Sequence, residues 1–293
     1  MIAHAPISRE VILSELKRMP LPAAALMCAP DYFDIVDVKN PYMEGQQGKV
    51  NVKLAKWQWR EVQYAFERIG VRVSTLPALA GAEDMVFCAN PVFTGLDGEG
   101  RRVCVLSHMR HASRDREVEA HAEWFARNGY HVVRLRGGGL FEGGGDAIWH
   151  PGRRLIWGGY GYRTEPDIYD EISAIFDAPV VPLELTSERF YHLDTCFCPL
   201  DEGTVLVNPA ALTRESLDSI RRTVEYVIEA DDGEAAKMAC NGAPFFGKYV
   251  VIERGLTMTN RRLREHGFKV IEVETSEFLK SGGSVFCMKM HLF

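Results

Sequence analysis

The sequence lacks several features that mark common classes of protein. No apolar run approaches the roughly 20 residues that a membrane-spanning helix needs. No secretory signal is recognisable, because residues 1–18 are charged and predict a helix. Basic residues are outnumbered by acidic ones, which gives a net charge of −6 without long runs of one sign. Nucleic-acid-binding domains are usually basic, so we expect neither a nucleic acid nor a membrane as partner.

The seven cysteines show neither regular disulfide spacing nor a zinc pattern. Cys196 and Cys198 form the only close pair, and one intervening residue is fewer than the usual two to four between zinc ligands. We therefore expect no metal, no other cofactor and a location in the reducing cytoplasm. Four cysteines in apolar or small-residue stretches are predicted to be buried core thiols: Cys28, Cys88, Cys104 and Cys240.

The chain also has no Ser/Pro-rich linker. Its 293 residues, 46% of them apolar, are enough for a sizeable core. We therefore expect one domain over residues 1–293, with residues 1–21 as an N-terminal extension before a first strand at 23–27. The extension is interpreted as a packed helix or as an oligomer contact, and a homo-oligomer is left open.

Three segments repeat one plan of strand, tight turn, strand, helix and strand. Turn residues between short apolar runs indicate the hairpins. The predicted strands, with the helix in third place, are 84–93, 102–107, 114–128 and 131–135; then 146–150, 155–158, 166–176 and 180–185; then 194–199, 205–208, 214–226 and a short strand. The repeats predict an α/β fold with hairpins, crossover helices and internal pseudosymmetry.

The most informative cysteine is Cys287, in the segment Ser-Gly-Gly-Ser-Val-Phe-Cys-Met. Glycines allow a close approach of backbone to a ligand, but a cysteine nucleophile also needs a histidine and an orienting acid. The glycine-rich loop 141–146 contains Glu142. His192 comes two residues before Asp194, and in a strand both side chains would point to the same face.

Three motifs occur in the order Glu-Gly-x-Gly-Asp, His-x-Asp and Gly-Gly-Ser-x-x-Cys. In this order they resemble the guanidino-group modifying superfamily, also called the pentein or amidinotransferase fold, and most closely its arginine dihydrolases and dimethylarginine dimethylaminohydrolases. The resemblance covers the chain from about Cys28 to Phe293. It implies an α/β propeller of five pseudosymmetric ββαβ modules around a central channel that holds the active site.

The resemblance also implies the chemistry. Cys287 would attack the carbon of a small-molecule guanidino substrate and form a covalent amidino-thioether. His192 would act as general acid and then as general base, and Glu142 would orient it. The enzyme would be a hydrolase of carbon–nitrogen bonds in arginine-type guanidines.

Further residues are predicted to bind the substrate. Asp84 and Asp194 would hold the guanidinium through paired hydrogen bonds, and Asp194 favours an unmethylated substrate. Arg163 resembles the arginine that binds the substrate carboxylate in family members, whereas Arg114 competes with Arg110 for a second such role. The remaining candidates are Asp146, Asn40 and Asn90.

Asn40 and Asn90 bear on how far the reaction goes. Their segments are similar to those of arginine dihydrolases, which hydrolyse twice and give ornithine, ammonia and carbon dioxide. Each asparagine also precedes a proline and is open to a simpler interpretation as a turn residue.

Three other functions remain open. An amidinotransferase would use an amine in place of water, and a dimethylarginine dimethylaminohydrolase would take a methylated substrate. An inactive binding module, like the initiation factor of the same fold, would not need the residues Cys287, His192 and Glu142.

Overall fold

The computed structural model of the chain describes residue 8 and residues 11–293. In this part of the chain, fifteen strands form five three-stranded sheets. The strands are β1 (Ala24–Cys28), β2 (Arg72–Leu76), β3 (Val92–Leu96), β4 (Arg102–Leu106), β5 (His131–Arg134), β6 (Ala147–Trp149), β7 (Ile156–Tyr160), β8 (Val180–Glu184), β9 (Phe197–Pro199), β10 (Thr204–Val207), β11 (Tyr226–Glu229), β12 (Ala243–Phe245), β13 (Tyr249–Glu253), β14 (Lys269–Val273) and β15 (Met290–Leu292).

The helices connect the strands. They are α1 (Val52–Arg68), α2 (Asp115–Arg127), α3 (Ile168–Phe176), α4 (Arg214–Thr223), α5 (Asp232–Ala235), α6 (Thr257–Glu265) and α7 (Ser276–Leu279). Within the described ranges, none of them combines the length and the apolar character that crossing a membrane would need.

All five sheets share one topology. A first strand runs antiparallel to the middle strand, which pairs in parallel with the last one after a helical crossover. The five sheets are β15-β1-β2, β3-β4-β5, β6-β7-β8, β9-β10-β11 and β12-β13-β14. The C-terminal strand β15 supplies the antiparallel partner of β1, with Leu26 opposite Met290, so the two ends of the propeller close on each other.

The sequence explains this arrangement locally. Middle strands such as β1 and β10 are apolar and buried at every position, as expected for strands that are covered on both faces. Helix α1 begins at a side-chain cap, because Asn51 Oδ1 accepts a hydrogen bond from the Leu54 amide at 3.1 Å. Trp59, Val62 and Phe66 of this helix are buried in a core shared with β1, β13 and β14.

The α/β class and the five pseudosymmetric modules are confirmed, and the three predicted modules fall on the second to fourth sheets. Two local predictions are wrong. Residues 84–90 form turns and not the start of a strand, so β3 begins only at Val92. The segment with His192 and Asp194 is a short 3₁₀ turn (Leu193–Thr195) before β9.

The predicted N-terminal helix is wrong for residues 11–18, and its earlier part lies outside the described residues apart from residue 8. The structured piece is a single 3₁₀ turn, Leu13–Glu15. The segment packs against the third module, where the Met19 amide donates to Gly152 O at 3.2 Å and the Leu16 carbonyl accepts from Arg153. Leu16 joins the apolar core there, so the segment is packed in extended form.

Candidate active site

The turns that precede the first strands of the five sheets meet at the centre of the molecule. These turns, which we call the five-turn ring, are residues 84–90, 142–146, 192–196, 238–241 and 284–288. Each turn is hydrogen-bonded to the next, which closes the ring. The bonds are Ala89 N to Cys287 O, Gly144 N to Ala89 O, Leu193 N to Asp146 Oδ1, Asn241 Nδ2 to Asp194 O and Phe286 N to Asn241 O.

Cys287 lies in the last turn of the ring, shortly before β15, and its side chain is buried. The thiol donates to Asp194 Oδ2 at 3.1 Å, and Asn241 Nδ2 donates to the sulfur at 3.2 Å. Burial and the adjacent Asp194 carboxylate raise the pKa of the Cys287 thiol well above its usual value. The unliganded site therefore favours the protonated thiol.

Asp194 is the partner of this thiol and is also fully buried. Burial raises the pKa of its carboxyl to about 7, although the hydrogen bond from Cys287 acts in the opposite direction. Its second oxygen, Oδ1, has no hydrogen-bond partner within the described part of the chain. An unpaired buried carboxylate oxygen is costly, and beside a thiol it offers an acceptor to a bound N–H group.

Asn241 was not predicted. Its Oδ1 accepts from the amides of Ser284 and Cys287 at 2.9 and 3.3 Å, while its Nδ2 contacts the carbonyl of Asp194 and the sulfur. One buried amide thus fixes the nucleophile turn against the Asp194 turn. The available signal was the repeat itself, because Asn241 precedes β12 as Asn90 precedes β3.

His192 and Glu142 form the second predicted contact. His192 Nε2 lies 2.7 Å from Glu142 Oε2, and both side chains are buried. Burial alone would raise the pKa of Glu142, but the hydrogen bond and charge of His192 and the charge of Arg163 hold it well below its usual range. Arg163 Nη1 lies 3.0 Å from the same carboxylate, which also accepts from the Arg110 amide.

The glycines of the first motif make this contact possible. A Cβ on Gly145 would lie 2.5 Å from Asn90 Nδ2 and 3.2 Å from the His192 ring. Gly143 has a positive φ of 54°, and a Cβ there would lie 2.3 Å from the Val92 carbonyl oxygen. The loop therefore needs glycine to bring Glu142 against the histidine.

A small polar pocket opens beside Cys287. It is lined by Lys39, Asn40, Met43, Asp84, Phe87, Asn90, Arg114, Arg163, Tyr191, Ser281, Gly283 and Cys287. It thus brings together six of the predicted residues, which are Cys287, Asp84, Asn90, Asn40, Arg114 and Arg163. His192, Glu142 and Asp194 lie in its wall behind these side chains, through their contacts with Asn90, Arg163 and Cys287.

Asp84 carries a cation that the sequence interpretation missed. The Lys39 ammonium lies 3.1 Å from Asp84 Oδ2 and also contacts Asp37 and Glu83. Burial lowers the pKa of Lys39, but these carboxylates outweigh the effect and raise it. Neither oxygen of Asp84 has a well-aligned hydrogen bond in the described ranges, so the carboxylate remains available to a further donor.

Arg114, and not Arg110, reaches the pocket. Arg114 is buried and paired with Glu117 at 2.7 Å, and it donates to Asn90 Oδ1 at 3.0 Å. Asn90 therefore bridges Arg114 to His192, whose Nδ1 lies 3.5 Å from Asn90 Nδ2. The Arg110 side chain is exposed and donates to the Tyr162 carbonyl.

The two asparagines behave differently. Asn40 shapes a turn, because its Oδ1 caps the short helix Pro41–Met43 through the Tyr42 amide, while its Nδ2 donates to Ser281 O. Asn90 has no such role among the hydrogen bonds of its side chain, which reach Arg114 and His192.

The structure corrects the assignment of Asp146 as a substrate-binding residue. This carboxylate is buried outside the pocket lining. Its two oxygens accept from Thr164 Oγ1 at 2.7 Å and from the Leu193 amide at 3.0 Å. Burial raises its pKa to about 6. Asp146 thus joins two turns of the ring, because a carboxylate satisfies two donors at once.

The other cysteines lie in the interior. All seven are free and buried, and burial raises the pKa of Cys198 to about 12. Across residue 8 and residues 11–293, no three or more His, Cys, Asp or Glu side chains are grouped so that they could hold a metal ion.

The propeller and this ring of buried polar side chains define a guanidino-group modifying enzyme fold of the pentein type. Residues 30–293 match the family described as eukaryotic N,N-dimethylarginine dimethylhydrolase. The chain therefore belongs to that family. It spans 37% of the length of the bifunctional arginine dihydrolase/ornithine cyclodeaminase ArgZ of Synechocystis, with which it shares 37% identity over 91% of its own residues.

Two further relatives match over nearly their whole length. The N(G),N(G)-dimethylarginine dimethylaminohydrolase of Mycobacterium tuberculosis is 32% identical over 95% of this chain and 89% of that protein. The crystal structure of an N-terminal domain variant of ArgZ, covalently bound to a reaction intermediate, superposes with a TM-score of 0.87 at 35% identity. That match covers 92% of this chain and 97% of the other.

Proposed function

We propose that this chain is a cysteine-dependent hydrolase of the guanidinium group of arginine or a close analogue. The observation that carries the proposal is the contact of the Cys287 sulfur with Asp194, in a pocket that also contains Asp84. Two carboxylates near one thiol suit a planar cation, which donates several hydrogen bonds in one plane. The family and its ArgZ and dimethylaminohydrolase members support this reading.

Substrate binding would activate the nucleophile. A guanidinium ion between Asp84 and Asp194 adds a positive charge beside the sulfur, and such a charge lowers the pKa of a thiol. The open Oδ1 of Asp194 would accept a substrate N–H. The thiol would then lose its proton as the cation arrives, which couples nucleophile formation to the correct ligand.

The first half-reaction forms one bond and breaks another. Cys287 attacks the guanidinium carbon, and His192 gives a proton to the departing nitrogen, which leaves as ammonia. Glu142, 2.7 Å from His192 Nε2, holds the ring and favours its charged form. The hydrogen bond to Glu142 leaves Nδ1, the nitrogen near Asn90, for the proton transfer.

Water completes the turnover. His192 accepts a proton from the attacking water, the carbon–sulfur bond breaks, and arginine has become citrulline. A second round on the neutral ureido group would release ornithine, with ammonia and carbon dioxide. Asn90 favours this second round, because a neutral amide beside His192 accepts an uncharged ligand where a carboxylate would favour a cation.

The carboxylate of the substrate would meet Arg163 or Arg114 at the wall of the pocket. Both arginines already have acidic partners, Glu142 and Glu117. Each guanidinium offers five N–H donors, so a second acceptor can be added without loss of the first.

One product assay separates the alternatives. Purified protein is incubated with arginine, agmatine or dimethylarginine, and citrulline, ornithine and ammonia are measured. Ornithine from arginine supports the two-step reaction, and citrulline alone a one-step hydrolase. Turnover of dimethylarginine only would contradict the preference for unmethylated substrates.

Two further arms test the other functions. Added glycine that becomes amidinated would identify an amidinotransferase. If no substrate reacts and a chloroacetamidine does not label Cys287, the chain is an inactive binding module and the proposed hydrolase is wrong.

We also propose that residues 1–293 form one catalytic domain in the cytoplasm. The packing of the N-terminal segment onto the third module supports the first part, and seven free thiols support the second. A homo-oligomer is proposed as well, and sedimentation of the purified chain tests it.

A further inference from the structure

A second cavity lies on the other side of the five-turn ring from the active-site pocket. Side chains from the first strands of all five sheets line it, including Phe93, Trp149, Pro199, Phe245 and Met290. Ala89, Gly144 and Phe286 of the ring form its inner end. The cavity is thus the other half of the central channel, and it contains about 770 Å³ of space between atoms, its mouth included.

The walls of this cavity are largely apolar. Phe93 stacks on Trp149 with ring centroids 5.6 Å apart, and Phe293 packs on the edge of the same indole. Residues 19–22 of the N-terminal segment lie along the mouth. A concave apolar site with a few polar groups is the usual form of a small-molecule site.

Lys289 supplies the first polar group. Its side chain is only 2% exposed and lines the cavity, with the ammonium 3.3 Å from the centre of the Phe286 ring. Among the described residues no hydrogen bond or ion pair reaches this ammonium. Burial lowers the pKa of Lys289 to about 7. A buried ammonium that only an aromatic ring contacts lacks the acceptors it normally has.

His291 supplies the second polar group. Its Nε2 is buried and has no hydrogen-bond partner in the described ranges, and its ring packs against Phe245 and Phe286. Burial and the nearby Lys289 charge lower the pKa of His291 well below its usual value. The imidazole is therefore neutral, and its Nε2 can carry a proton and donate to an anion.

We propose that this half of the channel is a binding site for a small carboxylate with an aromatic or aliphatic body. The carboxylate would accept from Lys289 and His291, and its apolar body would lie between Phe93, Phe245 and Trp149. This assignment satisfies two buried donors that the protein leaves without acceptors. It is independent of the guanidine chemistry, because the ring separates this cavity from the pocket at Cys287.

Calorimetric titration with 3-phenylpropanoate at pH 6.5, where the Lys289 ammonium is largely charged, tests the proposal. We expect binding with a Kd on the order of 1 mM or tighter. The neutral isostere 3-phenylpropanamide should bind at least tenfold more weakly. Lys289→Met should reduce binding of the carboxylate at least tenfold and leave binding of the amide nearly unchanged, whereas Lys289→Arg should keep the preference for the anion.

Variants that fold poorly do not leave the question open. His291→Phe keeps an aromatic ring and removes the Nε2 donor, so it should weaken the carboxylate several-fold. A crystal of the unmodified protein soaked with 3-phenylpropanoate should show the ligand on Lys289. Absence of binding, equal binding to Lys289→Met, density in the pocket at Cys287, or only water or an inorganic ion at Lys289 would each overturn the proposal.

Discussion

The Cys287 thiol donates a hydrogen bond to Asp194 Oδ2 across 3.1 Å. The predicted nucleophile and one predicted arm of the guanidinium clamp are therefore in contact before substrate binds. Burial disfavours charge on both groups and raises both pKa values, that of Asp194 to about 7. The free site stores the proton between them, and an arriving cation favours its release.

Replacement of the nucleophile gives the most direct prediction. Cys287→Ser and Cys287→Ala should abolish turnover of arginine, whereas binding of arginine by calorimetry should persist because the carboxylates remain. Cys198→Ala is the matched control, since Cys198 is a buried thiol that donates to a backbone carbonyl. Activity of Cys287→Ala within about tenfold of the unmodified protein, about 1.4 kcal/mol of barrier, would contradict covalent catalysis.

Asn241 gives a prediction that the sequence alone did not suggest. Asn241→Asp keeps the acceptor for the Ser284 and Cys287 amides but replaces the donor to the sulfur by an oxygen. A thiolate that loses one hydrogen bond should have a pKa about one unit higher, since such bonds contribute roughly 1.5–3 kcal/mol.

The pH profile of Cys287 alkylation by iodoacetamide measures this shift. The value of kcat should fall at least about tenfold while KM changes little. The exposed Asn128→Asp serves as control. An unchanged alkylation profile in Asn241→Asp would mean that the amide merely holds the turn.

The sequence predicted the modules and most of the site because motif and structure coincide there. Glu142, His192 and Cys287 each lie in a turn before the first strand of a module, where short motifs are easily recognised. Lys39 and Asn241 escaped because their roles depend on contacts with residues far away in the chain, such as Asp84 and Asp194. Asp146 was misassigned for the same reason, since only the fold shows that Thr164 and Leu193 occupy its oxygens.

Asn90 should control the end product. Asn90→Asp places a carboxylate between Arg114 and His192, where the amide now bridges them. The new charge favours a cationic ligand over neutral citrulline, so citrulline should accumulate from arginine and the yield of ornithine should fall at least about tenfold. Chromatography of the products over time measures the ratio. The same ratio in both proteins would show that Asn90 does not select the second step.

Asp194 should make stability depend on pH. Its pKa is raised from 3.8 to about 7, so the native state binds more protons than the unfolded chain between these values. The contribution of Asp194 to stability is therefore lost as pH rises from about 4 to 7. Relative to the unmodified protein, Asp194→Asn should melt at a higher temperature at pH 8 than at pH 4. A difference that is constant with pH would contradict the raised pKa.

The same substitution should impair catalysis even though it does not unfold the protein. Asp194→Asn keeps the shape of the side chain but removes its charge, so a bound guanidinium loses a charge-assisted hydrogen bond worth roughly 1.5–3 kcal/mol. The reacting carbon also loses its alignment with the sulfur, which is costly in rate. The value of kcat/KM for arginine should fall at least about a hundredfold, and less for neutral citrulline. If steady-state kinetics find Asp194→Asn near the unmodified protein with arginine, the clamp is wrong. The preference for unmethylated guanidines would then fall with it, and dimethylarginine would become the better candidate substrate.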